Sequence, residues 1–278
     1  MNLTRFWHHN LRWTLILWIG VVFWLRADWS VLGAGIAIWF LLVYLTAPGV
    51  LWTYIYALPF VSSNPIRAIK ILEKAVASKP LIPFPYIALG VTYLRTKRWE
   101  EAIPLLEEAA RLADRKSTPD INTLLAVAYR ETNQYDKVYA LLDELVNRGI
   151  RNLKIYYNYA LCYLRQKRFK EALEAAEIAR SFNTNQLEPV LLMGQIYFEM
   201  GNLLAAKDNW EWAVNRKPDM VEPYYWLGRA ELELGETQVA VTHLKLAVKQ
   251  IAEHPSLSNV SAAEAEEWLE KAEGLLQK

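Results

Sequence analysis

Small and aromatic residues return along this chain at a near-constant interval, and that periodicity limits its architecture more than any other feature. Asn122, Tyr156, Val190 and Tyr224 follow one another at 34-residue steps, and Tyr86 begins the series 36 residues earlier. Around them one pattern recurs: Tyr86, Leu89, Gly90, Tyr93, Ala102, Leu106, Ala109; then Asn122, Leu125, Ala126, Tyr129, Val138, Leu142, Leu145. It returns as Tyr156, Tyr159, Ala160, Tyr163, Ala172, Ala176, Ala179; as Val190, Met193, Gly194, Tyr197, Ala206, Trp210, Ala213, Pro218; and as Tyr224, Leu227, Gly228, Ala240, Leu244, Ala247. Residues three and four apart share one face of a helix, so the first four positions of each unit form a single stripe. Gly90, Ala126, Ala160, Gly194 and Gly228 occupy the place where a bulky side chain would hold the paired helix away. Gly201 and Gly235 stand where the first helix should end, with Lys97, Asn133 and Lys167 in the same place elsewhere. A helical pair of this size cannot bury its apolar face alone, so successive pairs must stack.

The pattern resembles the tetratricopeptide repeat (TPR) family, whose motif sets an aromatic, Leu, Gly/Ala and Tyr on one helix and Ala, Leu or aromatic, Ala and Pro on the next. The resemblance covers about residues 49 to 250 and implies an all-α, right-handed solenoid. Five repeats are expected over 83–254, starting near 83, 119, 153, 187 and 221. A degenerate opening repeat is expected over 48–82: Ala68, Leu72, Ala75 and Pro80 fit its second helix, but Tyr56 stands where Gly or Ala belongs and Pro59 where Tyr belongs. At the other end, Ser261 with Glu264 reads as a capping box, and Ala265, Trp268, Leu269, Ala272, Leu275 and Leu276 give residues 261–278 the apolar stripe of a capping helix. Glu266, Glu267, Glu270, Lys271 and Glu273 form its solvent face.

The chain is 53% hydrophobic, above the usual range for a soluble domain, and the excess lies before residue 60. Seven of the twelve tryptophans are there. Trp29 to Ala47 is a nineteen-residue run without a charge, close to the ~20 residues that cross a bilayer as a helix. A shorter run, Trp13 to Leu25, precedes it. Residues 1–47 therefore read as a transmembrane hairpin with helices at about 8–26 and 29–47, bracketed by interfacial tryptophans. A cleaved signal peptide, a buried capping hairpin and a shallow re-entrant hairpin are the alternatives. Arg5 and Arg12 ahead of the first apolar run and Arg67, Lys70, Lys74 and Lys79 after the second place the N-terminus and the repeats on the cytoplasmic side of an inner or thylakoid-type membrane, with residues 1–60 in contact with lipid. Net charge falls along the chain, from +6 over residues 1–116 to +2 over 117–186 and −7 over 187–278. That gradient suits a basic end beside anionic lipid, and equally an acidic, soluble cap.

Catalytic chemistry has no foothold in this sequence. Cys162 is the single cysteine, at a packing position in a repeat helix. The histidines, His8, His9, His243 and His254, lack neighbours at metal-ligand spacing, and no nucleophile elbow, phosphate loop or dinucleotide fingerprint occurs. No enzyme activity, cofactor or metal is expected. Basic residues are interleaved with acidic ones, which argues against nucleic acid.

What remains is protein binding. The resemblance implies a concave groove lined by the first helices, and the lining positions fall on Ile87, Val91, Val127, Arg130, Lys154, Tyr157, Asn158, Leu161, Leu191, Gln195, Tyr225 and Arg229. The set is mainly apolar and aromatic, and it does not meet the clamp pattern that captures a chaperone's C-terminal carboxylate. It suits an amphipathic helix or extended apolar segment from a membrane protein or membrane-associated peptide. The chain thus reads as a membrane-anchored scaffold or assembly factor, including one for biogenesis of a membrane complex. The alternative is a heme-pathway-type or envelope-regulatory protein with its repeats on the outer side.

Overall fold

The computed structural model describes residues 49–114, 118–253 and 260–277, and among them every regular element is an α-helix. In chain order they are α1 (Gly49–Ser63), α2 (Pro65–Ala77), α3 (Phe84–Arg95), α4 (Trp99–Leu112), α5 (Thr118–Glu131), α6 (Tyr135–Asn147), α7 (Leu153–Arg165), α8 (Phe169–Phe182), α9 (Glu188–Glu199), α10 (Leu203–Arg216), α11 (Val221–Glu233), α12 (Thr237–Glu253) and α13 (Ala262–Leu276). The chain divides between Leu141 and Leu142, inside α6, into two units. Within each, antiparallel pairs stack in solenoid-like order.

Helix ends are set by local chemistry. The side chains of Asn64, Asn152 and Asn202 accept the backbone N–H three residues on, satisfying a donor that the first turn leaves free. The turns that end α3, α5, α7, α9 and α11 share one geometry. Lys97, Asn133, Lys167, Gly201 and Gly235 all have φ between 58° and 80°. After each, the next N–H returns to a carbonyl five residues back, as Arg98 does to Tyr93 at 2.9 Å and Glu236 to Glu231 at 2.8 Å. This is the Schellman arrangement, which ties off the carbonyls of a last turn. Glycine enters the left-handed region without penalty, whereas the two lysines hold it at a cost of about 1–2 kcal/mol each.

In the first unit, α3 closes on α4 because Gly90 has no side chain; a Cβ there would lie 2.8 Å from Leu106. Tyr86, Ala109 and Ile121 form a buried cluster against which Ile87 and Leu105 pack. Tyrosine hydroxyls tie each pair to the one before it. Tyr93 on α3 donates to Glu73 on α2 at 2.8 Å, and Tyr129 on α5 donates to Glu107 on α4. Burial, then the hydrogen bond to Glu73, pushes the Tyr93 hydroxyl up to about 12, and the same causes raise Tyr129.

The opening pair departs from the expected register. Tyr56 is 57% exposed and Ala57 is fully buried, so the small position belongs to Ala57, and three residues on Phe60, rather than Pro59, takes the aromatic place. The cause is a shorter connection. A single residue, Asn64, separates α1 from α2, so Ala57 and Ala68 stand eleven residues apart where the later pairs use twelve. Pro59 lies within α1.

In the second unit the same close approaches recur with larger partners. A Cβ on Gly194 would collide with the indole of Trp210, and one on Gly228 would lie 2.5 Å from Leu244 and 3.2 Å from the Ala240 carbonyl. Trp210 is among the largest fully buried side chains. Cys162 is also buried. Tyr159 on α7 donates its hydroxyl to Asp143 on α6. At the end, Ser261 caps α13 by accepting the Glu264 N–H at 3.1 Å. Ala265 and Ala272 are buried against α11 and α12, with Trp268 and Leu269 packed beside them, whereas Leu275 and Leu276 are exposed rather than part of the stripe.

The expected localisation in a membrane, with N-terminus and repeats toward the cytoplasm, is corrected. No helix among the described residues is long and apolar enough to cross a bilayer. Uncharged α1 has 15 residues, a rise of about 22 Å at ~1.5 Å per residue, short of the ~30 Å required. The longest described helix, α12, has 17 residues and carries Lys245, Lys249 and Glu253. The hairpin expected at 8–26 and 29–47, on which the lipid contact also rested, lies outside the described residues.

Two measurements test this packing. Gly194→Leu and Gly228→Leu should each lower stability by about 1–3 kcal/mol through overpacking, read as a drop in melting temperature; two unchanged melts would refute the close approach. Alkali should act through the tyrosines. Tyr93 and Tyr225 have folded-state values of about 12, above the ~10 of an unfolded chain, so their contribution is complete below pH ~10 and lost as pH rises toward 12. Thermal melts between pH 9 and 12 should fall through that window, and Tyr93→Phe with Tyr225→Phe should flatten the fall.

Candidate functional site

The twelve residues marked as groove lining divide between the units, and each set is described by itself. Ile87, Val91, Val127 and Arg130 belong to the first unit. The three apolar residues are half-buried on α3 and α5, and Ile87 is partly committed to the Tyr86 cluster. Arg130 pairs with Glu131 at 3.0 Å, so its charge is answered within its own helix.

The second unit holds the other eight. Lys154 is exposed at the start of α7, and Tyr157 and Leu161, on the same helix face, are half-buried. Asn158 is buried instead; its amide donates to the Lys154 carbonyl at 2.9 Å, a bond that ties it to its own helix. Leu191 and Gln195 on α9 are half-buried, and Leu191 leans on the cluster of Trp210, Leu227 and Ala230. Tyr225 does not line an open face. It is 0% exposed, covered by α13, and its hydroxyl donates to Glu264 at 2.6 Å. Burial first, then that bond, pushes the hydroxyl up to about 12.

Arg229 is the polar centre of this region. Its guanidinium carbon lies 5.3 Å from the ring centre of Phe198, 5.7 Å from Tyr225, 4.8 Å from Trp226 and 4.6 Å from Trp268. The rings also meet one another: Trp210 stacks on Trp226 at 5.8 Å, and Phe198 meets Trp226 edge-on at 5.9 Å. Phe198, Trp226 and Trp268 come from three helices, at positions that sequence periodicity assigns to separate roles. Their convergence depends on the tertiary path of α13.

Sequence reading also passed over a buried carboxylate. Glu231 on α11 is 0% exposed, and His243 Nδ1 on α12 lies 2.8 and 3.0 Å from its two oxygens. Lys207 on α10 stands 3.9 Å away and also pairs with Glu236. The twelve-residue separation of Glu231 and His243 is a usable signal, since it equals the offset between the small position of a first helix and that of its partner, as in Gly228 and Ala240. Three helices are cross-linked by this network. Among the described residues no group of three or more His, Cys, Asp or Glu is placed to hold a metal ion.

A family model described as anaphase-promoting complex, cyclosome, subunit 3 matches residues 109–179, and one described as tetratricopeptide repeat matches residues 191–255. Human protein O-mannosyl-transferase TMTC1 is 24% identical over 169 residues, covering 58% of this chain but 18% of that protein, so the chain spans less than a fifth of the relative's length. Among solved structures, the APC/C hetero-tetramer Cut9–Hcn1 aligns with a TM-score of 0.65 at 14% identity, over 83% of this chain and 44% of that one. Yeast Tom70 aligns with a TM-score of 0.62 at 15% identity, over 84% and 49%. A thermophilic TPR protein of Thermus thermophilus gives 0.57 at 20% identity, over 66% and 97%. At these identities the structures speak to fold alone.

The buried network makes an asymmetric prediction. His243→Ala leaves a buried carboxylate short of its nearest partner and should cost about 1–3 kcal/mol. Glu231→Gln keeps an acceptor for His243 and leaves Lys207 with Glu236, so it should cost less. Denaturant unfolding of the two variants checks the order; a larger loss for Glu231→Gln would reverse it.

Proposed function

Since the chain is a tetratricopeptide-repeat protein, we propose that it is a protein-interaction scaffold that docks an apolar segment of a partner on the first-helix face of its second unit. Repeats of this family generally mediate protein–protein contact and scaffolding. The observation that carries the reading is the partial burial of Tyr157 and Leu161 on α7 and of Leu191 on α9: each is half-covered by its own fold and keeps apolar surface available. Lys154 and Gln195 flank them and supply polar rim contacts. Asn158 and Tyr225, both buried, drop out of the docking set. In the first unit, Ile87, Val91 and Val127 offer the corresponding face.

An apolar strip of this kind fits helix-in-groove or extended-segment recognition. It suits an assembly factor that holds one component of a larger complex. The relative named as a mannosyl-transferase shares only a small part of its length with this chain, and no transferase chemistry is carried over.

Tyr157→Ala with Leu161→Ala should leave the helical content and melting of the full chain nearly intact, yet remove its partner from a pull-down. Truncated aromatic anchors commonly cost ~2 kcal/mol or more, which is over tenfold in affinity. Glu266→Ala with Glu270→Ala, at exposed positions on α13, is the control and should change little. If the groove pair retains the partner while the acidic pair loses it, docking belongs to the acidic end and this assignment falls.

A further inference from the structure

We infer that Arg229 is the specificity contact of this docking face and that the partner segment it selects carries a carboxylate side chain among apolar residues. The inference rests on the docking reading above and adds the chemistry of the partner to it.

Arg229 is a half-buried cation whose surroundings are aromatic rather than acidic. Four rings stand within 5.7 Å of its guanidinium carbon, and among the described residues no carboxylate lies within ion-pair distance of it. Its hydrogen bond is a long one, 3.5 Å from Nη1 to the Tyr225 hydroxyl, and that hydroxyl already donates to Glu264. Glu264 is therefore one hydroxyl removed from the guanidinium. Arg229 Nε is buried without any partner. Ring faces attract a guanidinium, which explains why the cation is tolerated here, but they do not use its N–H donors. A partly desolvated guanidinium short of acceptors gains most from a carboxylate, the group its planar fork matches.

A second cation stands beside the same ring, while Glu264 is engaged by the Tyr225 hydroxyl. Lys271 Nζ lies 4.1 Å from the ring centre of Trp268, the ring that also meets Arg229. Arg130 on α5 shows the contrast. It is answered by Glu131, whereas the residue after Arg229 is Ala230 and the acid beyond it, Glu231, faces His243. A segment with one carboxylate flanked by leucine or phenylalanine would meet both the cation and the rings around it. A segment with a lysine there would be opposed by the cation.

The test uses the full chain and fluorescein-labelled peptides of about fourteen residues, with Leu and Phe along one helical face and Glu, Gln or Lys at the centre, read by fluorescence anisotropy. The Glu peptide should bind at least about tenfold more tightly than the Gln peptide, the worth of one charge-assisted contact, and the Lys peptide more weakly still. Arg229→Gln should bring the Glu-to-Gln ratio close to one, and Arg229→Lys, which keeps the charge but loses the fork, should retain part of it. Circular dichroism melts establish that each variant is folded; should Arg229→Gln unfold, the ratio on the unaltered chain and on Arg229→Lys decides. Equal affinities for Glu and Gln peptides, no binding of the Glu peptide, or a ratio that survives Arg229→Gln overturns the inference. Leu161→Ala separates the two levels: if it weakens Glu and Gln peptides alike while their affinities are equal, the docking face stands and the role of Arg229 falls.

Discussion

Close approach of paired helices at a residue without a side chain is the constraint on which the rest of this structure depends. Gly90 admits Leu106, Gly194 admits Trp210 and Gly228 admits Leu244, in each case at a separation that a Cβ would violate. Once the second helix is seated this closely, its alanines at Ala102, Ala206 and Ala240 are buried, and the turn between helices must reverse the chain within a few residues. The positive φ at Lys97, Gly201 and Gly235 accomplishes that reversal. Packing and turn geometry are thus two sides of one requirement, and interiors at crystal-like density leave little slack between them.

Between pairs the structure uses a different device. Tyr93, Tyr129 and Tyr159 each reach back to an acid on the preceding second helix, at Glu73, Glu107 and Asp143. Each bond joins one repeat to its neighbour while keeping a polar hydroxyl satisfied at a buried edge. The aromatic ring supplies apolar area and the hydroxyl supplies direction, a combination that leucine at the same position could not provide. Tyr225 applies the device forward instead of backward, donating to Glu264 on the last helix. The end of the array is therefore closed by the same chemistry that joins its interior.

What the sequence made legible was local or periodic. Small residues at steps of 36 and then 34 positions mark the helix contacts, and Lys97, Asn133 and Lys167 match Gly201 and Gly235 because a turn needs its special φ at a fixed offset. The opening pair was misread by one residue because loss of a single connecting residue shifts the small position from Tyr56 to Ala57 without disturbing the alanines that follow. The candidate site was less legible. Position alone put Tyr225 on an open face, but α13 folds over it, and no property of residues 221–233 announces what a helix thirty residues later will cover. The pairing of Glu231 with His243 shows in the sequence only as a twelve-residue offset, because neither residue alone marks a buried ion pair.

This division between fixed and free positions bears on how such a chain acquires specificity. The fold buries Gly90, Leu106, Tyr93 and their equivalents, and it only half-buries the outward positions of the first helices, where Tyr157, Leu161 and Gln195 stand. Those positions answer less strictly to the stack than the buried ones, and on the docking reading proposed above they are where a partner would be recognised. That freedom narrows where the last helix intrudes, since residues there answer to both packing and binding. Arg229 lies at that border, with Trp226 from its own helix and Trp268 from α13 against it. Packing alone would be served as well by methionine or leucine among four rings, and without leaving a buried Nε unpaired. On the docking reading, a guanidinium at this place answers to a carboxylate of the partner.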